Sequence, residues 1–187
     1  MLTPLQLARR SIGMLAGLGV LACSLTLLYL GSHTVMGIGG SCGSGGPYEI
    51  VTPCPKGIGW IVPVSIFAGM AGLGLYAGSR LPVGPRLTEL AWPALFLSLG
   101  YAFLDAALNA GDGVDWGFMV CAVTFVLLGG LPLLLLANRD NFLRVFWGPE
   151  PSPAQGRPAR VLSIVLHVIA IAGGVSLGIL IFHAATG

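Results

Sequence analysis

Along the chain, long apolar runs alternate with short connections that are polar or rich in glycine and proline. Five runs reach the roughly 20 residues a helix needs to cross a hydrocarbon core about 30 Å thick. They fall at 11–31, 58–79, 87–109, 116–137 and 161–184. In lipid no water is available to bond backbone N–H and C=O groups, so an apolar run of this length satisfies them internally and becomes a helix. The pattern predicts an all-α fold: one domain made of five transmembrane helices, with an outer loop at 32–57 and a polar linker at 138–160. Pro63, Pro93 and Pro132 lie near or inside helices two, three and four, where each removes a donor and favours a kink. Pro82, Pro85, Pro149, Pro151, Pro153 and Pro158 fall in connections, where they are expected to end helices.

Composition narrows the class further. Of the 187 residues, 55% are hydrophobic and 9% charged, against roughly 25% charged in a soluble domain. So few charges exclude both a water-covered globule and a disordered chain. The net charge of +2 is small and its basic residues are scattered, which argues against a nucleic-acid partner. Their positions do carry direction. Arg9 and Arg10 precede helix one, Arg80 and Arg86 separate helices two and three, and Arg139, Arg144, Arg157 and Arg160 separate four and five. Basic residues stay on the cytoplasmic side, so the expected protein is multi-pass in the cytoplasmic membrane. Its amino terminus is then cytoplasmic and its carboxyl terminus extracytoplasmic, with Lys56 the one exception. The acids Glu49, Asp112 and Asp115 fall on the outer side of this map. Arg9-Arg10 before an apolar run also suits a cleaved leader, but the run stays apolar well past Cys23 and reads as a retained span.

The loop at 32–57 carries Cys42 and Cys54 on the oxidising side, and two cysteines in one exported loop usually pair. Closing a loop of this size restricts the unfolded chain by roughly 3 kcal/mol on the chain-entropy model. Gly45-Gly46-Pro47 reads as a turn, and Tyr48 to Thr52 as a short strand. Cys23 and Cys121, among apolar neighbours, read as small buried hydrophobes. The segment Ser44-Gly45-Gly46-Pro47-Tyr48, followed by Pro53-Cys54-Pro55 and an apolar helix, resembles small multi-pass membrane proteins of actinobacteria. The resemblance covers this loop and the start of helix two. It implies a multi-pass membrane protein with a stapled outer loop, and brings no activity or catalytic residue with it.

Helices in lipid associate by close packing of small residues. Gly13 and Gly17, Gly74 and Gly78, and Gly174 and Gly178 each form a GxxxG pair, extended on helix two by Gly69 and Gly72. Packing within the five-helix unit is the expected use, and an oligomeric contact the alternative. Phe142, Val145 and Phe146 in the linker suit a short amphipathic turn in the interfacial plane.

An ionisable group inside a span is a functional candidate by default. Asp105 lies about 6 Å below the outer end of helix three. His33, His183 and Lys56 fall at a similar depth, so these four form a candidate outer polar cluster. They fit a structural hydrogen-bonded group tied to Asn109 or Lys56, a site for a ligand or ion with Asp105 as counter-ion, or a metal site of two histidines and a carboxylate. His167, deeper in helix five with no acid at its level, reads as a neutral, hydrogen-bonded histidine. No phosphate loop or H-E-x-x-H motif occurs. The cluster apart, no metal, cofactor or catalytic residue is expected. The expected function is that of a non-catalytic accessory or structural subunit of a larger membrane complex. Its partners are membrane lipids and either other membrane proteins or further copies of itself. Two alternatives stay open: a small transporter, channel or ligand-binding protein using the Asp105 cluster, and an envelope thiol–disulfide enzyme using Cys42 and Cys54.

Overall fold

The structure, a computed structural model, describes residues 4–40, 42, 52–79, 85, 87–109, 113–135, 145 and 156–187, with the backbone alone at 4, 135 and 156–160. It is all-α. The helices are α1 (Pro4–Gly37), α2 (Ile58–Gly78), α3 (Thr88–Leu108), α4 (Trp116–Leu135) and α5 (Gly156–Thr186). All five are long and apolar enough to cross a membrane.

Two helices run further than apolarity predicts. α1 continues past Gly31 because Ser32 and Thr34 donate their hydroxyls to the carbonyls of Leu28 and Leu30, at 2.5 and 2.8 Å. A hydroxyl that bonds back to the preceding turn stays satisfied without leaving the helix. The stop comes from backbone geometry. Gly39 N–H bonds Met36 O at 3.1 Å and Gly40 N–H bonds Val35 O at 3.0 Å, with Gly39 at φ 97°. This is the left-handed glycine termination of a helix, which a residue with a Cβ strains to adopt. α5 starts at Gly156, so residues 156–160 belong to the helix and Pro158 does not end one. It sits in the first turn, where its missing N–H has no intrahelical partner to lose. Pro63, Pro93 and Pro132 lie inside α2, α3 and α4 as expected. The expected turn and strand at 45–52 lie outside the described residues apart from Thr52, and the interfacial stretch at 141–147 apart from Val145.

α1 is the hub. It packs along α2 on one side and along α5 on another, while α3 reaches it by a smaller contact and carries α4. Glycine sets the separation at each large contact. A Cβ on Gly17 would stand 2.5 Å from Tyr76 N and 2.8 Å from Gly72 O, so the α1 and α2 backbones touch there. A Cβ on Gly178 would stand 2.9 Å from Cys23 O, and one on Gly174 would meet Gly19 O and Ala22 of α1. Between α3 and α4, Gly100 faces Val126 and Gly129 faces Leu97. Trp92, Phe96, Phe125, Phe103 and Phe118 follow one another along that second seam, with ring centroids 4.4 to 6.1 Å apart. Small residues bring the backbones close and the rings fill what remains.

Two of the three GxxxG pairs are thus spent inside the fold. The third is not: among the described residues, nothing lies within 4 Å of a would-be Cβ on Gly74 or Gly78. α2 and α3, joined in sequence, scarcely touch. Between them and α1 lies a crevice of about 460 Å³, walled mainly by Leu21, Leu25, Leu28, Ile66, Met70 and Leu95. Gly17→Ala is expected to destabilise the bundle by about 1–3 kcal/mol, as over-packing does. Gly74→Ala should cost nothing measurable. Unfolding of the purified chain in detergent distinguishes the two; equal effects would contradict the packing described.

Candidate functional site

α1, α3 and α5 finish at the end of the bundle where α2 and α4 begin. Contacts between those termini define this end: His33 with Asp105, Gly40 with Phe118, and Gly57 with Ala185. The Cys42–Cys54 disulfide belongs to the same end, with Cα atoms 4.9 Å apart. Cys23 and Cys121 are free thiols on α1 and α4, so no second thiol pair lies beside the bridge among the described residues.

The candidate cluster divides. His33 Nε2 bonds Asp105 Oδ2 at 2.9 Å, and Asn109 Nδ2 donates to Asp105 Oδ1 at 2.9 Å. Both carboxylate oxygens of Asp105 are therefore occupied, one from α1 and one from its own helix. With Asp105 ionised, the imidazole donates from Nε2–H. Parallel α1 and α3 bring the pair together, and Tyr29 and Tyr101 meet with tilted rings along the same seam, 6.3 Å between centroids. His183 instead bonds the Ile179 carbonyl of its own helix through Nδ1, at 2.8 Å. Lys56 is exposed in the turn before α2. Neither makes a hydrogen bond or ion pair with Asp105 among the described residues.

A further acid, absent from the candidate cluster, completes the site. Asp115 Oδ1 accepts the amides of Gly117 and Phe118 at 2.8 and 3.1 Å, capping the start of α4. An aspartate directly before an apolar run is a recognisable N-cap, so the signal was present in the chain. His33, Asp105, Asn109 and Asp115 all line one cavity of about 360 Å³, with Met36 and Phe118 among its apolar walls. Among the described residues, no group of three or more His, Cys, Asp or Glu side chains is placed to hold a metal ion.

A second polar group lies buried toward the opposite end. Tyr76 on α2 and His167 on α5 are 0% and 2% exposed. The tyrosine hydroxyl stands 3.0 Å from Pro85 O and 3.3 Å from His167 Nε2, while His167 Nδ1 donates to Ser163 O at 2.7 Å. His167 is hydrogen-bonded, as the sequence leads one to expect; its tyrosine partner has no local signal, because it arrives from another helix.

The chain matches no family model, no curated protein and no solved structure. Function must therefore be argued from the geometry. Tyr76→Phe strips a bonded hydroxyl from a dry site and should cost about 1–2 kcal/mol. His33→Ala breaks a pair that is about two-fifths exposed and should cost less, about 1 kcal/mol at most. The reverse ranking in detergent unfolding would mean that the pair at the disulfide end, not the buried one, carries the stability.

Proposed function

We propose that this chain is a non-catalytic integral membrane protein acting as a structural or accessory subunit, and that α2 is the helix it offers to a partner. The observation that carries this reading is the unused GxxxG pair. In lipid, two helices gain from a smooth surface that lets their backbones approach. Gly13, Gly17, Gly174 and Gly178 already serve that purpose inside the fold, whereas Gly74 and Gly78 meet no neighbour among the described residues. Phe67 and Met70, 72% and 67% exposed, extend the same helix outward. The occupant is a transmembrane helix of another protein or of a second copy, with lipid tails filling the crevice between α2 and α3. Extracted in a mild detergent, the chain should come out in fixed stoichiometry with its partner. Gly74→Leu with Gly78→Leu should abolish that association while leaving the melting temperature of the bundle unchanged. A wild-type chain that is monomeric and alone sinks the reading.

The arginine distribution supports an amino terminus in the cytoplasm of a plasma-membrane protein, with the disulfide end outside. In a background free of other reactive thiols, an impermeant maleimide added to intact cells should label Lys56→Cys but not Arg144→Cys. Labelling of both from outside, or of Arg144→Cys alone, would invert or void this topology.

A second reading, a small ligand-binding or transport protein, is favoured by the cavity in which His33, Asp105, Asn109 and Asp115 meet.

A further inference from the structure

We infer that the cavity at the disulfide end binds a small organic cation: an ammonium group carried on a short apolar body. The inference rests on the second reading above and adds the chemical class of its ligand. The cavity, about 360 Å³, lies near the lower end of small-molecule sites, which run from roughly 300 to 1,000 Å³, so the ligand is small.

Its lining selects the charge. Asp105 and Asp115 contribute two carboxyl groups, His33 one imidazole, and no lysine or arginine is among the described lining residues. Asp105 is already held by His33 and Asn109, which fixes its position in the wall. Asp115 spends only Oδ1 on the α4 amides, leaving Oδ2 with no partner among the described residues. An N–H donor carrying positive charge meets that oxygen as a charge-assisted hydrogen bond, about twice as strong as a neutral one. An anion of the same size would face two carboxylates instead, a built-in repulsion that separates ligands of equal shape. Met36, Ala102, Ala106 and Phe118 supply apolar surface for the body of the ligand. A bare metal ion fits poorly, because no three ligating side chains converge among the described residues.

The test uses three probes that share one skeleton: n-butylammonium, n-butanol and butyrate. Each is titrated calorimetrically into the full chain, disulfide intact, in a non-ionic detergent. Butylammonium should bind at least about tenfold more tightly than the other two. Asp115→Asn should weaken it by about tenfold or more. Asparagine caps a helix as well as aspartate does, so this variant keeps the start of α4 and loses only the charge. Ala106→Leu, which fills the cavity and leaves every charge in place, should also abolish binding. Equal binding of butanol or butyrate would overturn the cation assignment while leaving the cavity as a ligand site. An unchanged affinity in Asp115→Asn would overturn it as well. Failure of all three probes to bind would remove both the assignment and the ligand-binding reading beneath it.

Discussion

Everything in this fold is arranged around the closeness with which α1 lets two other helices approach its backbone. Gly17 meets Gly72 and Tyr76 of α2, and Gly19, Ala22 and Cys23 receive Gly174 and Gly178 of α5. For helices that are apolar on every side, burial against one another has little hydrophobic advantage over burial in lipid tails. What distinguishes the right neighbour is the fit of surfaces, and glycine makes the deepest fit available. α1 carries small residues on two faces and so organises three helices. α3 and α4 form a separate pair on aromatic packing, joined to α1 by contacts such as Tyr29 with Tyr101 and His33 with Asp105, toward the disulfide end.

The polar residues obey the opposite constraint. In surroundings this apolar, an unpaired donor or acceptor is costly, and nearly every described side chain of this kind has a local remedy. Ser11, Thr26, Ser32, Thr34, Ser65, Thr124 and Thr186 each return a hydroxyl to the carbonyl four residues earlier. Among the described residues, two side-chain pairs reach across helices: His33 with Asp105, and Tyr76 with His167. They stand toward opposite ends of the bundle and link different helix pairs, α1 with α3 and α2 with α5. The first borders a cavity and is partly exposed; the second is sealed. That difference leaves the first open to solvent and makes the second a fastening.

The disulfide end also shows how a site forms without any local motif. α1 is carried to Gly37 by hydroxyls that keep its polar last turns helical, and this extension brings Met36 and Gly37 to the cavity wall. The glycine termination then turns the chain back so that Gly40 lies against Phe118 of α4. Had α1 ended at Gly31, where its apolar run ends, His33 would lie in a loop rather than one helical turn beyond Tyr29. The cavity depends on a helix that outlasts its hydrophobic segment.

The five helices were legible in the chain because each depends on its own residues: a run of apolar side chains of sufficient length leaves the backbone no partner but itself. The same holds for the prolines inside α2, α3 and α4, for the pairing of Cys42 with Cys54, and for the bond between Asp105 and Asn109, four residues apart on one helix. The extension of α1 was missed because hydropathy ignores a hydroxyl's ability to bond its own helix. The first turn of α5 was missed because proline was read as a stop where it is tolerated as a start. Which glycines face a neighbour, and which of the four candidate polar residues meet, could not be read at all. Those answers turn on the rotation and partner of each helix. Three near-identical GxxxG pairs carry no mark telling which one looks outward; only the assembled bundle, in which α1 claims two of them, leaves Gly74 and Gly78 over.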